Sequence, residues 1–178
     1  MRRVLTVLVV VALAIVVAWQ ITRHERREGR RAAPADTLGA GFRSVTLYFA
    51  ASDGRGLVPE ARELIEAASL HQQIDQLVAE LDRGPRGQGV AALPPGTALR
   101  AVYLDDRGLM TLDLSRAFQH GFRGGSTAEY LAVASLVRTV VANVPDVKRV
   151  QIVCGGAPLS TLGGHVPLDR PLDVSDWL

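Results

Sequence analysis

From Ser126 to Cys154 the chain reads STAEYLAVASLVRTVVANVPDVKRVQIVC, and its apolar positions change period once along the way. Tyr130, Val133, Ala134, Val137, Val140 and Val141 recur at spacings of three and four, which predicts a helix with one apolar stripe. Glu129 and Arg138 lie off that stripe. Ser126 followed by Glu129 has capping-box spacing, so the predicted helix starts there with the two side chains satisfying early N–H groups. Pro145 ends it, because proline cannot continue a helix and disfavours helical backbone at Val144. Val147, Val150, Ile152, Val153 and Cys154 then predict a buried strand, stopped by Gly155-Gly156.

The upstream pattern is similar in kind. Val45, Leu47 and Phe49 alternate with Thr46 and Tyr48, which predicts a strand over 44–50. Ser52-Asp53-Gly54 is turn chemistry. Leu57-Val58-Pro59-Glu60 reads as the entry to a helix, with Pro59 at its first position, where a missing N–H costs nothing. Leu64, Ala67, His71, Ile74, Val78 and Leu81 continue it at helical spacing to Gly84-Pro85. Leu99 to Asp105 and Leu109 to Leu114 predict a hairpin about Asp106-Arg107-Gly108. Phe118 is expected to plug the core. His165, Val166 and Leu168 suggest a short edge strand, and Trp177 is expected to dock on the domain. The resulting order is strand, helix, strand, strand, helix, strand. It predicts an α/β two-layer sandwich, one mixed sheet with two helices on one face and the other face open for a partner.

Residues 4–18, VLTVLVVVALAIVVA, are apolar apart from Thr6 and follow Arg2 and Arg3. With Trp19 and Ile21 they approach the roughly 17–25 residues a bilayer span needs. They read as an uncleaved single-pass anchor in the inner membrane over residues 4–21. A cleaved signal peptide is the rival, for which Val16-Val17-Ala18 is a poor cleavage site. This gives an anchor or signal segment at 1–22, a basic linker at 23–43 and a domain at 44–178. Arg23, Arg26, Arg27, Arg30 and Arg31 follow the apolar segment, and by the positive-inside tendency they argue for a cytoplasmic domain.

Charge then separates the two parts. Seven of the 20 basic residues and two of the 18 acids precede residue 32, leaving 13 basic and 16 acidic residues in the remainder. The overall excess is therefore a property of the flank. The domain carries no basic stripe with interleaved aromatics, so nucleic acid is not an expected partner.

Candidate chemistry is sparse. Cys154 is the single cysteine, so no intramolecular disulfide forms, and it reads as a buried thiol packed as a small hydrophobe. GPRGQG at 84–89 follows a helix, whereas a phosphate-cradling glycine loop follows a strand and opens a helix. Asp105, Asp106 and Asp113 read as solvated turn and hairpin-end residues without calcium-loop spacing. His71 and His120 have no second ligand at zinc spacing. No catalytic, cofactor-binding or metal-binding residues are assigned, and no cofactor is expected. Tyr48, Tyr103, Phe122 and Trp177 are the only candidates for aromatic platforms of a glycan or small-ligand site.

Several segments together resemble the GerMN (sporulation and spore germination) domain family. They are VTLYFAASDGRGLVPEAR at 45–62, LDRGP at 81–85, LPPGTALRAVYLDDRGLMTLDLSRAF at 93–118, LVRTV at 136–140 and VQIVCGG at 150–156. Two departures are a single copy of the domain and the lack of a lipobox cysteine. The resemblance implies a fold like the ring-building motifs of secretion-type assemblies. It also implies a domain of the bacterial cell envelope, outside the cytoplasmic membrane, acting through envelope protein partners or self-association. It carries over no active site. The expected function is a membrane-anchored, non-enzymatic interaction or scaffold module, linked to sporulation or germination. The alternative is a cell-wall glycan or small-ligand binding domain.

Overall fold

The computed structural model describes residues 41–177. The apolar segment and most of the basic linker lie outside these residues. Among them, no helix is long and apolar enough to cross a membrane.

The described residues begin with a hairpin, β1 (Phe42–Ala50) and β2 (Leu57–Ile65), paired antiparallel over nine residues each. Here the structure departs from the expected helix entry at Leu57. The segment 57–65 is a strand, and helix α1 runs from Leu70 to Arg83 with Ser69 as its N-cap, accepting from the Gln72 N–H. The register explains why Pro59 is tolerated. Alternate residues of an antiparallel strand direct their N–H and C=O toward the partner or away from it. Thr46 and Tyr48 direct theirs away from β2, toward side chains of a helix. Pro59 lies opposite Tyr48, at a position that makes no ladder bond, so its missing N–H costs the hairpin nothing.

Strands β3 (Leu99–Leu104) and β4 (Leu109–Leu114) form the expected hairpin, with a register shift between Leu99 and Ala101. A short helix α2 (Arg116–His120) and the long α3 (Ser126–Asn143) follow. They carry the chain to β5 (Arg149–Cys154), which runs parallel to β4. Parallel neighbours need such a crossover. Two-residue strands β6 (Ala157–Pro158) and β7 (Leu172–Asp173) pair with the two ends of β5, and Val174–Trp177 closes the chain as a 3-10 turn. The 165–168 stretch is irregular, not the expected edge strand.

The described residues thus form a mixed α/β fold, with a five-stranded mixed sheet, a separate two-stranded hairpin and two main helices. The hairpin sits apart from the larger sheet because α3 occupies the place beside β1. Ser135, Thr139 and Asn143, at successive turns of α3, act as a surrogate strand for the β1 edge. Ser135 Oγ donates to Tyr48 O at 2.5 Å, and Thr139 Oγ1 accepts from Tyr48 N at 3.0 Å. The Asn143 amide accepts from Thr46 N at 3.1 Å and donates to Thr46 O at 2.8 Å. Such a row satisfies backbone groups that would otherwise be buried without partners.

Helix α3 is consequently buried nearly all round. Ala132, Val133, Leu136, Val137 and Val140 join Met110, Leu112, Leu114, Val150 and Ile152 of the sheet in one core with Ile74, Leu77, Val78 and Leu81 of α1. Val137 and Phe118 are fully buried as expected, and His71, placed among apolar positions by its spacing, is exposed. Trp177 docks, stacking on Tyr130 with ring centroids 5.0 Å apart.

Candidate functional site

A cleft of mainly apolar lining opens at the N-terminal end of α3 and holds about 570 Å³. The turn after β1 supplies one wall and the run Val90–Pro95 another; Phe122, Arg123 and Leu131 complete it. The first two walls are joined where Ala50 and Val90 exchange backbone hydrogen bonds, Val90 N to Ala50 O at 2.8 Å and Ala50 N to Val90 O at 3.2 Å. Gly89 makes that approach possible. It has φ +109°, and a Cβ there would stand 2.9 Å from the Ala50 carbonyl oxygen. Leu93 and Pro94 are buried at the cleft floor, whereas Arg123 is exposed at its mouth. Arg123 Nη1 donates to the carbonyls of His120 at 2.8 Å and Phe122 at 2.6 Å, which fixes the side chain against its own turn.

Phe122 is backed by a loop that a buried carboxylate, Glu129, gathers. The expected capping box is absent: Gly125 is the N-cap, with no side-chain cap bond, and Ser126 is already helical. Glu129 is instead fully buried and faces the 162–166 loop. It accepts from Leu162 N and His165 N, each at 2.8 Å. Burial alone would raise its pKa, but the N–H groups of Gly163, His165, Val166 and Leu162 outweigh it and hold the carboxyl below its ordinary value. The loop so gathered presses Gly163 against Phe122, where a Cβ would lie 2.6 Å from the ring edge.

A second buried charge cluster lies under the hairpin. Arg62, the one buried residue of β2, pairs with Glu80 and with Glu60, the latter at 2.6 Å, and donates to Gly84 O at 2.7 Å. Its guanidinium covers the Phe49 ring at 5.3 Å. Arg83 and Arg86 also reach Glu80. Glu60 accepts from the N–H groups of Arg86 and Gly87, both at 3.0 Å, so the 84–89 glycine run is a loop tied to β2.

The remaining sequence candidates disperse. Asp105 accepts from Arg107 and Leu109 N–H within its turn, Asp106 is exposed, and Asp113 pairs with Arg100 at 3.3 Å and caps Gly156 N. His120 is exposed beside the cleft. Among the described residues no group of three or more His, Cys, Asp or Glu side chains could hold a metal. Cys154 is buried, with its thiol donating to Ser115 O at 3.2 Å, and burial raises its pKa. Of the four aromatic candidates only Phe122 lines the cleft. Tyr48 lies under Arg138 at 4.6 Å, Trp177 is buried, and Tyr103 stands alone, 72% exposed, on β3. Sequence reasoning missed Arg123 and the Leu93-Pro94 floor with Pro95 beside it. Their signal was an arginine and two prolines in loops, which spacing alone cannot bring together.

A family model described as Germane, sporulation and spore germination, matches residues 46–160. Among solved structures, the tandem GerMN domains of the sporulation protein GerM from Bacillus subtilis superpose with TM-score 0.61 at 19% identity, covering 76% of this chain and 48% of that one. The chain thus spans about half of the tandem structure. The first GerMN domain of the same protein gives TM-score 0.55 at 22% identity, covering 74% of this chain and 97% of that one. A Clostridium perfringens protein described as a "putative lipoprotein" gives 0.54 at 20% identity, covering 82% and 95%. At these identities the likeness is one of fold. No curated protein matches.

Proposed function

Because the chain belongs to the Germane family of sporulation and spore germination, we propose that it is a membrane-anchored, extracytoplasmic interaction module of the cell envelope, without catalysis of its own. The observation that carries this reading is the order on one chain: an apolar segment at 4–18, a linker, then a Germane domain. The lipoprotein description of the Clostridium perfringens neighbour agrees with an envelope setting. The partners are envelope proteins or further copies of this chain. The side chains that usually signal chemistry are spent on structure here: Glu129 on a loop, Arg62 and Glu80 on the hairpin, Asp105 on a turn.

Orientation is the sharpest test, since five arginines follow the apolar segment and favour the opposite topology. Reporters active only outside the membrane, or only in the cytoplasm, are fused after Leu178. External activity, with the full-length chain and Arg2 retained in washed membranes, is the expected result. Cytoplasmic activity alone overturns the envelope assignment.

The second reading, a cell-wall glycan or small-ligand domain, draws on the cleft. Its weakness is that the aromatic platforms do not converge: Tyr103 and Phe122 lie on different elements, and Tyr48 and Trp177 are engaged elsewhere. Sedimentation with purified peptidoglycan, run beside an envelope pull-down, separates the two readings.

A further inference from the structure

The cleft at the head of α3 has walls of alanine, leucine, valine, proline and phenylalanine, and Arg123 at its mouth is the one charged side chain lining it. Its size falls in the range of roughly 300–1,000 Å³ typical of specific pockets. Ser52 is the one side-chain hydroxyl in the lining. A segment entering with apolar side chains would lose little water contact to polar surroundings there. One negative charge on it would meet Arg123, whose Nη1 is anchored to two carbonyls while Nε and Nη2 donate to nothing among the described residues.

We propose that this cleft receives a short apolar peptide segment of a partner protein, carrying one acidic side chain that pairs with Arg123. The assignment rests on the interaction-module reading above and names the surface that does the work. Phe122 forms the wall nearest the charge. The loop that Glu129 gathers packs Gly163 against its ring, so this wall is backed by a buried anchor. The charge selects among apolar segments, and the walls supply the buried area.

The test uses the full chain in detergent micelles and three six-residue leucine–valine peptides, with a central aspartate, asparagine or lysine. Each carries a photo-crosslinking group, and labelled residues are mapped by mass spectrometry. The aspartate peptide should label the 90–95 and 121–131 segments most strongly. Arg123→Ala should reduce that labelling by about fivefold, the upper end for one exposed ion pair, and remove the preference for aspartate over asparagine. Arg123→Lys should restore part of it. Ala92→Trp, which fills the cleft, should abolish labelling by all three peptides at an unchanged melting temperature. Should Ala92→Trp unfold the chain, the exposed Arg123 pair still decides. Labelling elsewhere, or labelling indifferent to Arg123, overturns the proposal. So does protection of the cleft by dodecanoate with no peptide labelling, which would assign the site to a lipid. Cytoplasmic activity of the reporter fusions combined with cleft labelling would remove the envelope setting and leave this site standing.

Discussion

Glu129 shows how one side chain can be assigned to the right helix and the wrong partner. Ser-x-x-Glu spacing predicted a local cap, but a buried carboxylate gains more from several backbone N–H groups of a distant loop than from one at the helix end. Its folded-state pKa is lowered. Its contribution to stability is therefore fully present above the ordinary glutamate value of about 4.3. It is lost as pH falls through the depressed value of the folded state. Glu129→Gln should lower stability by about 2–3 kcal/mol at pH 7, because an amide places a donor against donors in a buried site. Denaturant titrations at pH 7 and pH 3 should show a smaller pH dependence for the variant than for the parent. An identical pH dependence would mean that the loop holds itself. Cys154 is the opposite case, a residue whose expected environment was found. Burial and a raised pKa predict slow labelling by a thiol reagent in the native state and fast labelling in denaturant. Rapid native labelling would contradict the packing.

At the scale of the element, α3 serves two neighbours at once. Its apolar residues face the sheet and α1, and Ser135, Thr139 and Asn143 face β1. Thr139→Val keeps the shape and removes the acceptor for Tyr48 N–H. An unpaired group at a partly buried edge costs about 1–3 kcal/mol, so the melting temperature should drop by several degrees. A neutral result would mean that water replaces the hydroxyl. Val137→Asp tests the apolar side. An unpaired charge in the core should abolish cooperative thermal unfolding, and a variant melting within a degree or two of the parent would show the face to be misassigned. For the hairpin, local propensity failed for a physical reason. Pro59 and the acids at 60, 63 and 66 suit a helix entry, yet β1 offers a nine-residue ladder with a gap where proline needs one.

For the whole molecule, two polar devices tie the hairpin to the body: the α3 row and the Arg62–Glu80 pair. Removing one partner of a buried pair is usually worth about 3–5 kcal/mol. Arg62→Leu should cost somewhat less, since Arg83 and Arg86 remain near Glu80. The double variant Arg62→Leu/Glu80→Leu should recover part of the loss. If it is worse than the single one by the full cost of Glu80→Leu alone, the pair acts independently and the hairpin is held by other contacts.

What the sequence determined by itself was whatever depends on neighbours along the chain. The periods of 3.6 and 2 marked α3, β1, the β3–β4 hairpin and β5, and their apolar sides became the core. The ordered motifs from Val45 to Gly156 carried the family. Tertiary structure decided what depends on meetings across the chain. It chose strand over helix for 57–65, because the partner strand is an environment that no local window contains. It turned Glu129 away from its own helix toward a loop more than 30 residues on. It also brought Leu93, Phe122 and Arg123 to one cleft from separate loops. Loop residues carry no periodic signal, so their convergence is a property of the packed elements that hold them.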